Sequence, residues 1–244
     1  MDCRERHCEA RRRRGNPVAR WPVASLDCFA TLAMTMRILP LLALLALTSC
    51  NVIEQPNGLI PRWTAAYKDV ISENDRVRLR DWRKSFEDAL GAARKAGHDA
   101  EIAREGPLLD PDAALAGPAI PNGMYRCRVI KLGAKDAGNL DYVSYPGFTC
   151  RIHAERQLQR LAKLTGSQRY LGLIFPGDAI RNIFLGTLVL GDERRALQYG
   201  QDEQRDVAGY IERIGPNRWR LVMPQPHFES RLDVMELVPQ GATT

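Results

Sequence analysis

Arg213-Ile214-Gly215-Pro216-Asn217-Arg218-Trp219-Arg220-Leu221 reads as strand, turn, strand. Pro216 presets φ for the first central turn position, and past it Trp219, Leu221 and Met223 alternate on one face of the returning strand. The same period of two recurs on both sides of this hairpin. Candidate strands are Met124–Leu132, Gly147–His153, Gln159–Leu164, Arg169–Phe175, Asn182–Leu190, Ala208–Ile214, Trp219–Met223 and Leu232–Val238, separated by turn residues. About eight strands with no long helix between them predict a closed or nearly closed antiparallel sheet over residues 124–239, a barrel or a sandwich.

Upstream the period changes from two to that of a helix. Trp63, Ala66, Tyr67 and Val70 predict a short helix. A longer one follows, with Ser72 and Asp75 as a variant capping box, Leu79, Trp82, Phe86, Leu90 and Ala93 as one apolar stripe, and Gly97 as the cap beyond Ala96. His98–Glu105 predicts one more short helix, stopped by Gly106-Pro107. Arg76, Arg80, Arg83, Lys84, Glu87 and Asp88 form the opposite, solvated face. A lone amphipathic helix is marginal in water, so its stripe is expected to pack on the β domain as one cooperative unit over residues 63–239. Residues 107–123, with four prolines and no period, read as a linker or wrapping loop between the helical segment (63–106) and the β domain. The fold class is thus α+β.

The one strongly apolar run, Ile38–Leu47, is about half the length that spans a bilayer as a helix. Behind Arg37 it fits a secretory leader, and Leu47-Thr48-Ser49-Cys50 resembles the lipobox of bacterial lipoproteins. The expectations are a start at Met36, a leader over 36–49, lipidation of Cys50 as first mature residue, and a tether over 50–62. Residues 1–35 read as an over-long gene start.

Of the chain's 244 residues, the first forty-nine hold eight of the thirty-five Lys+Arg and four of the twenty-nine acids, so the mature net charge falls from +6 to +2. No concentrated basic stripe remains, which argues against a nucleic-acid partner. Among the six cysteines, Cys3, Cys8 and Cys28 precede Met36 and Cys50 takes the lipid, leaving Cys127 and Cys150 to pair in an oxidising compartment. Both sit in the pattern aromatic, x, Cys, Arg, β-branched, and an antiparallel register centred between Gly138 and Asn139 sets them opposite each other, with Pro146 awkward in it. Such a bridge contributes roughly 3 kcal/mol by chain entropy. Two thiolates without CxxC spacing or a neighbouring His make a poor zinc site, so no metal is expected.

Four collinear stretches, Tyr125–Gly133, Lys163–Arg169, Phe184–Glu193 and Arg213–Leu221, carry a resemblance to the bacterial secreted family known as domain of unknown function 4893, over roughly Trp63–Pro239. The resemblance implies an exported α-plus-β protein and supplies no catalytic residue. In architecture alone the chain is also similar to periplasmic inhibitors of secreted metalloproteases.

Three places invite chemistry. Pro224–Ser230 puts His227, Glu229 and Ser230 close together, but Ser230 lacks the flanking glycines of a nucleophile elbow. Asp192 and Glu193 lie in a loop whose arginines nearly match its acids, without a spaced calcium pattern. Thr165-Gly166-Ser167-Gln168-Arg169 suits a tight turn better than an anion cradle. The sequence therefore points to a non-enzymatic binding or structural lipoprotein of the bacterial envelope, without cofactor. It is expected to be lipid-anchored facing the periplasm, on the outer membrane in preference, or else secreted to the periplasm. Its expected partner is an envelope protein or a small hydrophobic ligand. The alternatives are a periplasmic protease inhibitor and an envelope hydrolase using His227/Ser230 or Asp192/Glu193.

Overall fold

The computed structural model describes residues 58–241 except Pro146 and Asp192. The leader, Cys50, the residues before them and the tether up to Asn57 lie outside the described residues.

The nine strands are β1 (Gly123–Ala134), β2 (Tyr142–Ser144), β3 (Phe148–Glu155), β4 (Leu158–Lys163), β5 (Gln168–Phe175), β6 (Arg181–Leu190), β7 (Asp206–Gly215), β8 (Arg218–Pro224) and β9 (Ser230–Pro239). All eight strands expected from the period-two pattern are present, and β2 is an addition. Every neighbouring pair is antiparallel in the order β1-β3-β4-β5-β6-β7-β8-β9, and β9 pairs back onto β1 from Tyr125↔Pro239 to Ala134↔Ser230. That closing ladder makes an eight-stranded barrel rather than a sandwich. β2 lies on the flank of the C-terminal half of β1, beyond the reach of β3.

β2 also changes the register expected for the cysteines. Cys127 faces Phe148, and Cys150 faces Tyr125, so the two cysteines are diagonal rather than opposite neighbours. The chain between them is not one hairpin: Ile130↔Ser144 belongs to the β1–β2 ladder, and one extra residue enters before Cys127↔Phe148. Both side chains still share the inner face, and the disulfide forms with a Cα separation of 5.9 Å.

Inside the barrel pack Tyr125, Cys127, Val129, Ile152, Leu161, Phe184, Trp219, Leu221, Met235 and Leu237. Gly172 and Gly186 face each other across β5 and β6, and a Cβ on either would come within 2.8 Å of the Phe184 ring. Their bareness lets that ring lie across the sheet.

The helices cover the outside. Ser72 caps α1 (Glu73–Arg80) through Asp75 N–H at 3.2 Å, α2 spans Trp82–Lys95, and α3 spans Asp99–Glu105. The long helix expected from the stripe is therefore two, joined at Asp81 (φ −94°, ψ 15°). The stripe divides with it. Leu79 packs with Ile60, Ile71, Phe175 and Leu185 on one sector of the wall, while Phe86, Ala89, Leu90 and Ala93 pack with Ile130, Leu132, Val222 and Val234 on another. A curved wall cannot be followed by one straight helix. The short helix expected over 63–70 shrinks to a 3-10 turn at Tyr67–Asp69. Trp63 is held elsewhere, its Nε1 donating to Gln157 Oε1 at 2.9 Å under the Arg156 guanidinium.

Residues 107–123 are a wrapping segment, not a spacer. A 3-10 turn at Gly106–Leu109 buries Leu108 and Leu109, and Ile120 enters the barrel core. Arg220, fully buried outside the barrel, holds this turn: it donates to the Pro107, Leu108 and Asp110 carbonyls at 3.0, 3.0 and 2.7 Å, and its Nε to Glu212 Oε2 at 2.7 Å.

Candidate functional site

One barrel end is stopped by Ile120, whose carbonyl accepts from Gln159 Nε2 at 2.9 Å. At the other end the inward-facing rows change character. Along β1 the series Tyr125, Cys127, Val129 continues to Lys131, and along β4 Leu161 is followed by Lys163. Here a cavity of about 370 Å³ opens, walled by Val129, Tyr145 and Phe148 with Lys163, Tyr170 and Glu229. A second hollow of about 260 Å³ beside it shares Lys131, Tyr145 and Glu229 and reaches Leu140.

The two lysines are both 5% exposed but are held differently. Lys131 Nζ lies 2.9 Å from Asp233 Oδ2 and 3.3 Å from Glu229 Oε2. Burial alone would lower its pKa, but Asp233 and then Glu229 outweigh it and raise it above the ordinary lysine value. Asp233 also accepts from Tyr170 at 2.7 Å and from the Ser230 hydroxyl. Burial, reinforced by Asp233, lifts the Tyr170 phenol far above its usual range.

Lys163 has no carboxylate partner among the described residues. Its Nζ donates to Thr165 O at 2.9 Å and Gln168 O at 2.7 Å and sits 3.6 Å from the Phe148 ring centroid. Burial first, then Arg169 and Lys131, bring its pKa down to about 8. An ammonium has three N–H donors, and two are occupied by those carbonyls. Gly166 gives the group its room: at φ +89°, a Cβ there would lie 2.7 Å from Lys163 Nζ and 2.9 Å from the Phe148 ring. This is the Thr165–Arg169 turn whose single glycine was weak evidence in the sequence.

The residues singled out for chemistry are dispersed. His227 is exposed on the β8–β9 loop, its pKa lowered by partial burial and then by Arg78 and Lys135. Ser230 is buried and turned to Asp233, and among the described residues no hydrogen bond joins it to His227. Glu193 pairs with Arg205 at 2.9 Å and accepts from Leu190 N–H at 2.8 Å, and the hydrogen bond from Arg205 takes its carboxyl down to about 2. Asp192 lies outside the described residues, as does Cys50. His98 stacks on Tyr142, with ring centroids 5.3 Å apart, and His153 is half-buried on β3. Lys131, Lys163, Tyr170 and Asp233 were not anticipated. Their signal was a lysine two residues past an inward-facing apolar residue, Val129 on β1 and Leu161 on β4.

Among the described residues no group of three or more His, Cys, Asp or Glu is placed to hold a metal ion, and no helix is long and apolar enough to cross a membrane. No curated protein and no solved structure matches the chain. The family described as Domain of unknown function (DUF4893) matches residues 67–237, from the 3-10 turn before α1 to β9 and including every residue of the open end, and the chain belongs to that family.

Proposed function

We propose that the protein is an exported envelope lipoprotein, anchored through Cys50, that binds a small ligand at the open end of its barrel without transforming it. The observation that carries this reading is the cavity at that end, apolar on one side, with a buried lysine whose charge no described carboxylate offsets. Buried charge without a partner is costly and marks a place where something else completes the set. The neighbouring reactive groups support binding over catalysis. Ser230, Tyr170 and Lys131 all converge on Asp233, so hydroxyl, phenol and amine are engaged with one another rather than presented to a substrate. The leader pattern and lipobox support the location.

Fractionation and native mass spectrometry test both halves. The protein should sediment with membranes and its Cys50→Ala variant should not. The released variant should carry a small-molecule adduct that disappears when Ser167→Trp fills the cavity. Membrane association that ignores Cys50 would sink the anchor, and an adduct indifferent to Ser167→Trp would sink the site.

A further inference from the structure

We propose that Lys163 makes the open end a site for small amphiphilic carboxylates, with the carboxylate on its ammonium and the hydrocarbon against Phe148, Val129 and Tyr145. The proposal rests on the reading of the open end as a binding site and names the ligand class.

Three features select an anion. Lys163 keeps one N–H beyond its two carbonyl bonds, and the nearby carboxylates Glu229 and Asp233 are engaged by Lys131. Arg169, on the same turn, donates to the Gly166, Gly191 and Glu193 carbonyls and adds positive field at the rim. Gly166 keeps the approach to Nζ open, since a side chain there would meet the ammonium itself.

Two features select an amphiphile with a single charge. The wall beside Lys163 is hydrocarbon and aromatic, and the rim exposes Leu140 and Tyr145, which a wholly polar anion would leave wet. Glu229, also in the cavity wall, penalises a second negative charge, so a monocarboxylate is favoured over a phosphate dianion. A cavity of about 370 Å³ lies at the small end of ligand pockets, roughly 300–1,000 Å³, which fits a short chain.

The test is calorimetric titration of the full chain carrying Cys50→Ala, kept free of detergent, with octanoate, octan-1-ol and inorganic phosphate. Octanoate should bind at least about tenfold more tightly than octanol, a difference of about 1.4 kcal/mol, and phosphate more weakly than octanoate. Lys163→Met should abolish the preference for octanoate over octanol, and Lys163→Arg should retain it. A pH series on the parent protein checks the same point should Lys163→Met fold poorly. Groups facing Lys163 are Arg169, Lys131, Glu229 and Tyr170, and of the cations Lys163 alone has a pKa brought to about 8. Octanoate affinity should therefore fall roughly tenfold per pH unit above that value while octanol binding stays level. Equal binding of octanoate and octanol, or a preference that survives Lys163→Met, overturns the role of Lys163 and leaves the open end a binding site. Phosphate binding as tight as octanoate overturns the amphiphile. Failure of octanoate and octanol alike overturns the amphiphile, while the adduct lost in Ser167→Trp decides separately whether the open end binds a ligand.

Discussion

The helix-covered wall of the barrel and its open end each bury a cation, and they hold it by different means. On the wall, Arg220 is sealed beneath Phe86, with Glu212 and three backbone carbonyls taking its donors. Glu212 is itself shared with Arg181 at 2.6 Å. At the open end, Lys163 is almost as deep but has only two carbonyls and an aromatic face. Lys131 stands between the two cases, in the cavity wall but saturated by carboxylates. A buried charge with its counter-charge is part of the fold, because removing either partner leaves the other stranded. A buried charge without one is a cost the fold tolerates, and there function is to be sought.

The comparison predicts graded effects of mutation. The largest belongs to the wall: Arg220→Met leaves the buried Glu212 with Arg181 alone and frees the Gly106–Leu109 turn, and should lower unfolding free energy by about 3 to 5 kcal/mol in denaturant melts. Phe86→Ala, which leaves a void between α2 and the barrel wall above Arg220, should cost about as much, roughly 3 to 5 kcal/mol. Trp82→Ala should cost less, about 1 kcal/mol, because Trp82 is only half-buried, edge-on to Phe86 and beneath Arg181. Equal losses at Trp82 and Phe86 would mean the stripe is buried more evenly than described. Reduction of Cys127–Cys150 should cost roughly 3 kcal/mol by loop closure and, since Phe148 is two residues from Cys150, should also weaken octanoate binding.

Lys163 should give the smallest change in stability. Lys163→Met should alter unfolding free energy by no more than about 1 kcal/mol, because the variant strands no carboxylate. Lys131→Met, which strands Asp233, should cost several times that. The pH dependence of the Lys163 effect has a defined sign. Its pKa falls from 10.5 in the unfolded chain to about 8 in the folded one, so the folded state binds fewer protons between those values. The parent should thus gain stability relative to Lys163→Met as pH rises from about 8 to 10.5, with the difference constant below 8. A parent that lost stability relative to Lys163→Met over that window would place a hidden counter-charge on Lys163 and remove the contrast with Arg220.

How far the site could be read in advance depended on the kind of signal. The inward rows of β1 and β4 were visible as alternation, and the lysines ending them stood in plain view at positions 131 and 163. Nothing local says that those two rows end at the same mouth, because β1 and β4 do not pair with each other and are set side by side only through β3. Gly166 stood out in the sequence only as a turn residue. Its second role, sparing space for Lys163 and Phe148, is a contact between a turn and a strand end. His227 and Ser230 erred in the opposite direction. They are close in sequence, but the entry into β9 turns Ser230 inward to Asp233 while His227 stays on the exposed loop.

Local chemistry alone determined the eight barrel strands, the Ser72 cap, the Gly97 stop and the pairing of Cys127 with Cys150, because each depends on neighbours a few residues away or on counting. Tertiary structure decided barrel over sandwich, the break at Asp81, the two-residue offset of Cys127 from its expected partner, and the contrast between Arg220 and Lys163. Closure of a sheet, curvature of its wall and the presence or absence of a counter-charge are properties of segments far apart in the chain. No window of sequence contains both partners.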